Sequence, residues 1–172
     1  MMRRFHLSND PSLKIEFPAE IVAQHNGKPK GFWYDVDLDW LRWLEGEDYF
    51  DNPQWMRPCL YEVFIDKTRL LTIRDVAQLD AFHKEYSMPL IPNITLRMKT
   101  IDWPRVAKEY AGVEITPYLR QRRLEPSFFW YYGWDCASGI IWRAEALKGI
   151  RLLARSKKAT IKFYKSEKKE KI

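Results

Sequence analysis

The stretch GFWYDVDLDWLRWLEGEDYF, residues 31–50, changes its period midway. GFWYDV is rich in aromatic and β-branched residues and reads as a strand. It is delivered by HNGKPKG (25–31), in which Asn-Gly and Lys-Pro both favour turn geometry. From there Leu38, Leu41 and Leu44, with Trp40 and Trp43, recur at helical spacing. Asp37 or Asp39 suits the helix N-cap and Gly46 suits the stop. Strand and helix follow one another here, but no regular βαβ alternation repeats along the chain, so the pattern predicts an α+β fold.

Upstream, RRFHLS (3–8) reads as a short strand that ends in a turn built from Ser8, Asn9, Asp10 and Pro11. Downstream, CLYEVFID alternates from Cys59, and RLLTI follows a short DKT link, which predicts a hairpin or one kinked strand. IRDVAQLDAFHKEY (73–86) is an amphipathic helix with Val76, Leu79, Phe82 and Tyr86 inward. Arg74, Asp75, Asp80 and Lys84 face out, and His83, with no partner in sequence, is assigned to the surface. Residues 87–100 contain two prolines and read as a loop. DWPRVAKEYAG (102–112) predicts a helix with Asp102 at its N-cap and Gly112 at its stop. VEITPY (113–118) is a strand that Pro117 closes or sets at an edge. SGIIWR (138–143) is a strand, EALKGIRLLA a turn of helix, and ATIKFYK (159–165) a final strand. The expected architecture is one compact domain over 1–156, with a split, mainly antiparallel sheet and peripheral helices, followed by a basic strand and tail at 157–172.

With 172 residues the chain is long enough for one core. Apolar residues at 46% and charged residues at 30% exclude a disordered or collagen-like chain. No run approaches the roughly 18 apolar residues of a membrane span. MMRRFHLSND is basic without an apolar segment behind it, so a secretory signal is not expected. Cys59 and Cys136 cannot make a disulfide scaffold, and no Cys/His spacing signals zinc. The expectation is a cytoplasmic, reduced, metal-free protein that does not engage membranes.

Aromatic residues are abundant, at 15%, and cluster as FWY (32–34), WLRW (40–43) and FFWYYGW (128–134). Such rings either fill a small core or line a cleft that stacks on a planar ligand. Net charge is +6, concentrated in RQRR (120–123) and in the lysine-rich tail from Lys157. These are either solvated surfaces or contacts for phosphate, with Arg120, Arg122 and Arg123 the candidates in mid-chain. GxGxxG, GxxxxGK[ST] and GxSxG are all absent, which argues against a doubly wound dinucleotide fold, a P-loop and a nucleophile elbow. Asp35, Asp37 and Asp39 lead into a helix, where their spacing suits capping as well as acid–base work.

FHLSND (5–10), KPKGFWYD (28–35) and WYYGWDCASGIIW (130–142), in that order, resemble the three motifs of ADP-ribosyltransferases of the histidine–tyrosine–glutamate type, as found in compact phage and prophage members. IDWPRVAKEYAGVEITPY resembles the helix and strand that precede the third motif. The resemblance spans roughly residues 3–143 and implies a split-sheet fold that binds NAD without a glycine-rich loop. It implies that His6 donates a hydrogen bond to ribose and that Leu7 and Ser8 lie beside it. Gly31 and Trp33 would form the second motif, with Trp33 stacked on nicotinamide. Trp33 stands where the family has Tyr, and Tyr34 faces the other side of the strand. By position the third, catalytic residue is Asp135, with Ser138 or Glu114 as alternatives. The implied activity is transfer of ADP-ribose from NAD to a nucleic acid or an acidic protein. The alternative is a non-catalytic protein that binds nucleic acid or a host factor through its basic and aromatic surface.

Overall fold

The computed structural model describes residues 2–23, 27–91 and 97–170. In chain order the elements are β1 (Arg4–Ser8), β2 (Phe32–Val36), α1 (Asp39–Gly46), β3 (Cys59–Ile65), β4 (Leu70–Ile73), α2 (Val76–Tyr86) and β5 (Ser87–Pro89). There follow β6 (Lys99–Ile101), α3 (Trp103–Glu109), β7 (Gly112–Ile115), β8 (Ser138–Ile141), β9 (Leu147–Ala154) and α4 (Lys157–Glu170). One sheet runs β4-β7-β8-β2-β1-β3-β9, and β5 with β6 makes a separate ribbon. β4 and β7 are parallel, and the other neighbours in the large sheet are antiparallel. The fold is α+β with a mixed, mainly antiparallel sheet.

Strand register sorts the side chains into two faces, since directly paired residues point the same way. Phe5, Asp35, Ser138 and Ile115 share one face, as do Trp33, Ile140 and Val113. Two helical layers cover that face. Over β4, β7 and β8, α2 and α3 pack Leu79, Phe82, Trp103 and Val106 with Trp130 and Tyr131 of a 3-10 segment. Over β1, β3 and β9, α1 and α4 pack Leu41, Leu44 and Tyr164 onto Phe5, Leu7 and Leu60. On the opposite face, Phe32, Tyr34, Val36 and Ile141 are covered by Leu13, Ile15 and Phe17 of the coil after β1.

β1 and β2 are the joint between the two halves. They pair at Arg4 with Val36 and at Phe5 with Asp35. Beyond Phe5, β1 stays with β3 through Ser8 and β2 stays with β8 through Phe32. The sheet is therefore continuous in strand order, where a split sheet was expected, but it opens like a V at its centre.

Several expectations are corrected. CLYEVFID and RLLTI do not pair: a 3-10 turn begun by Asp66, which accepts the Thr68 N–H, sends the chain away, and β4 joins β7 in parallel. EALKGIRLLA is mostly strand β9, paired with β3. ATIKFYK is helix, part of α4, because Thr160 and Tyr164, four residues apart, are the positions buried. The segment from 157 is thus an integral layer of the fold where a strand and tail were expected. His83 is buried, its ring stacked on Phe128 at 4.1 Å and its Nδ1 accepting the Trp130 indole N–H. The ends of the expected 87–100 loop form β5 and β6, while 92–96 lie outside the described residues. His25 and Asn26 of the expected turn also lie outside them. Gly27 of that turn has φ +76°, and a Cβ there would meet the Trp130 backbone at 2.8 Å.

The helix at 102–112 starts as predicted, with Asp102 accepting the Arg105 N–H and Pro104 in the first turn. It ends at Glu109, so Gly112 opens β7 instead of stopping the helix. Asp75 caps α2 through the Gln78 N–H. α1 departs from expectation: its N-cap is Leu38, in the left-handed region at φ 64°, with no side-chain cap of its own.

Candidate functional site

A cavity of about 430 Å³ opens over the parted ends of β1 and β2, between the two helical layers. Phe5, Asp35 and Ser138 form its floor, and Trp33, Lys28 and Asp135 one wall. Trp40, Gln54, Trp55 and Arg57 form the other wall. His6, Leu7 and Ser8 all line it, so the expected residues of the first motif meet Trp33, Asp135 and Ser138 at one hollow. A few hundred cubic ångströms with mixed apolar and polar walls is the size and character of a small-ligand site.

His6 reaches this hollow by an indirect route. By alternation along β1 it belongs to the face opposite Phe5, and its ring packs on Phe32 at 4.6 Å. Because β2 has already moved away, the imidazole sits in the gap, with Nδ1 2.7 Å from the Trp33 carbonyl. A carbonyl only accepts, so Nδ1 carries the hydrogen. Burial depresses the ring's pKa to about 4, with the Arg57 charge adding to the effect and the Trp33 carbonyl opposing it. At neutral pH the ring is uncharged and its Nε2 is an acceptor. That reverses the expected polarity: toward a ribose hydroxyl, His6 offers a lone pair.

Trp33 is wedged edge-on against Trp134 at 4.9 Å, and the Lys28 ammonium lies over its ring at 4.9 Å. Burial lowers the Lys28 pKa, while Asp135 and Cys136 raise it. Asp135 pairs with Arg123 at 2.7 Å. Its carboxyl is raised above the ordinary aspartate value by burial, against the pull of Lys28 and Arg123. Ser138 donates its hydroxyl to the Cys136 carbonyl, so its donor is engaged locally. The Cys136 thiol is buried and pushed far upward, with Asp35 and Asp39 adding to burial, so it is no nucleophile.

Of the three aspartates at 35, 37 and 39 that the sequence offers for capping or acid–base work, Asp35 is the one that lines the cavity. It is 7% exposed, on the cavity floor, and its Oδ2 accepts the Trp40 N–H at 3.3 Å. Burial pushes it up to about 8, with Asp39 adding and the Trp40 N–H opposing. Its signal in the sequence was its place two residues after Trp33, on the same side of the strand. That signal was legible only once Trp33 was known to face a cavity.

Other expected site residues lie elsewhere. Glu114 is on the opposite face, 1% exposed, held bidentately by Arg4 at 2.8 Å and by the Tyr34 hydroxyl at 3.1 Å. Gly31 does not line the cavity; a Cβ there would meet the Ile141 carbonyl at 2.7 Å, so it serves close strand approach. Of the arginines in the RQRR knot, Arg122 is paired with Asp80 and Arg123 with Asp135, and Arg120 is exposed. The aromatic clusters divide the same way. Phe128, Trp130, Tyr131 and Trp134 are core, and Trp33, Trp40 and Trp55 are cavity wall.

Among the described residues, no group of three or more His, Cys, Asp and Glu side chains is placed to hold a metal ion. No helix among them is long and apolar enough to cross a membrane. No known protein family, curated protein or solved structure matches the chain.

Proposed function

We propose that the cavity binds NAD and that the protein transfers ADP-ribose from it to a macromolecular acceptor. The observation that carries this reading is the convergence of His6, Trp33 and Asp135 on one hollow from three separate parts of the sequence. The reaction breaks the bond between C1′ of the ribose and the pyridinium nitrogen. The electron pair leaves with the ring, neutral nicotinamide departs, and positive charge develops on the ribose. An acceptor oxygen or nitrogen then bonds to C1′ and gives up its proton.

The chain's own residues suit these steps. His6 Nε2 accepts a ribose hydroxyl and fixes the sugar in the gap between β1 and β2. The indoles of Trp33 and Trp40 bound the space for the flat nicotinamide ring. Lys28 and Arg57 supply positive charge for the diphosphate. Asp135 faces the developing ribose cation with its carboxylate, and its raised pKa fits it to take the acceptor's proton.

Titration of NAD followed by intrinsic tryptophan fluorescence and thermal melting tests the reading, with release of free nicotinamide as the activity readout. Saturable quenching and a rise in Tm are expected for the wild-type chain. Asp135→Asn should keep binding and lose turnover by a factor of about 10² or more. His6→Ala and Trp33→Ala should weaken both. An absence of NAD protection, or unchanged nicotinamide release in folded His6→Ala and Asp135→Asn, overturns it.

A further inference from the structure

The two faces of α4 differ in kind. Thr160 and Tyr164 are buried, with Ile161 and Phe163 packed beside them, so the apolar face is occupied by the molecule's own core. Lys157 pairs with Asp51, Lys168 with Glu45, and Glu167 with Arg3. Lys158, Lys162, Lys165 and Lys169 remain, all exposed. Steps of four, three and four residues bring them within about 60° of arc on an ideal helix, opposite the buried face. We propose that this lysine stripe is a docking surface for a nucleic-acid backbone.

An ordinary solvated helix face intersperses acids and bases at i, i+4, which stabilises the helix, whereas like charges at that spacing destabilise it. Here the arc is of one sign: Glu167 points away, toward Arg3, and Glu170 lies about 120° around the helix. The stripe is about 16 Å long at 1.5 Å per residue, and duplex DNA carries about nine charges over that length of its axis. A phosphate backbone therefore relieves the repulsion along the whole stripe. A membrane surface fits less well, because a helix lying in a bilayer interface buries an apolar face, and that of α4 is already covered. The mid-chain arginines do not compete for the role, since Arg122 and Arg123 are committed to Asp80 and Asp135. The inference does not depend on what the cavity binds. It is compatible with a nucleic-acid acceptor, because α4 and the cavity share one face of the sheet and Glu45 of α1 ties the helices together.

Fluorescence anisotropy of a labelled 20-base-pair duplex, read from 50 to 200 mM salt, tests the stripe. Neutralising four phosphates gives a slope of log affinity against log salt of about −3.6, a loss of roughly a hundredfold over that range. The quadruple variant K158Q/K162Q/K165Q/K169Q should bring the slope near zero, while R120Q leaves it unchanged. Should the quadruple variant fail to fold, K162Q/K165Q should lose about half of the slope. No duplex binding by the wild type, an unchanged slope in the lysine variants, or binding to phosphatidylserine vesicles in place of the duplex overturns the proposal.

Discussion

Asp35 serves two opposed ends. It accepts the Trp40 N–H at the start of α1, where the N-cap Leu38 has no side-chain acceptor to offer. Yet it is buried on the cavity floor, and its carboxyl is pushed up to about 8. A carboxyl with a folded pKa above its unfolded value contributes stability that is fully present below about pH 4, and that stability is lost as pH rises through about 8. Asp35→Asn keeps an acceptor for Trp40 and cannot ionise. Urea unfolding should therefore show the variant close to wild type at pH 4 and more stable by about 1 kcal/mol or more at pH 8. A variant that loses ground as pH rises would show that the ionised form is the one the fold holds. His6 illustrates the same physics with the opposite sign. Its position was readable from the strand-end motif, but its role as an acceptor follows from the Trp33 carbonyl beside it.

At the scale of elements, the weak joint between β1 and β2 is braced from behind. Arg4 on β1 reaches under the neighbouring strands to Glu114 on β7, and Tyr34 on β2 donates to the same carboxylate. The crossing needs Gly139 on β8, where a Cβ would meet the Tyr34 ring and hydroxyl at 2.4 Å. Arg4→Met leaves Glu114 charged and buried, and should cost about 3–5 kcal/mol of stability by chemical denaturation. Arg4→Met combined with Glu114→Leu removes both charges and should recover most of that loss, as replacement of a whole buried pair commonly does. Equal destabilisation in both would show that the ion pair is not what braces the joint. Elements were misread where two periods compete: ATIKFYK alternates like a strand, but the lysines and glutamates around it favour a helix, and the apolar groove beside α1 rewards burial of residues four apart.

For the molecule as a whole, the segment from Lys157 is a structural layer. Tyr164 is 2% exposed, touches Phe50 edge-on and donates to Glu45, while Thr160 donates to the Pro58 carbonyl. Ending the chain at Ser156 uncovers Phe5, Leu60 and Ala154 together, each of them nearly free of solvent in the full fold. The shortened chain should melt broadly, with exposed apolar surface that binds a hydrophobic dye. A sharp transition within a few degrees of the full chain would show that 157–170 is an appendage after all. Because the same layer forms one wall of the α1 lobe, loss of α4 should also weaken any ligand held between Trp40 and Trp33.

The local grammar of this protein is written in its chain. Hydrophobic period, capping aspartates and turn residues located β1, β2, α2, α3 and β8, and put Trp33 and Tyr34 on opposite sides of one strand. Those features depend on neighbours a few residues away. Only the tertiary structure decided that β4 pairs in parallel with β7, which of the two competing periods in 157–170 is buried, and that Glu114 belongs to a brace behind the sheet. It also decided that the parting of β1 from β2 lets His6 share a hollow with Asp35 and Asp135. Pairing partners and burial are set by groups distant along the chain, and a strand's two faces look alike until the sheet is built and covered.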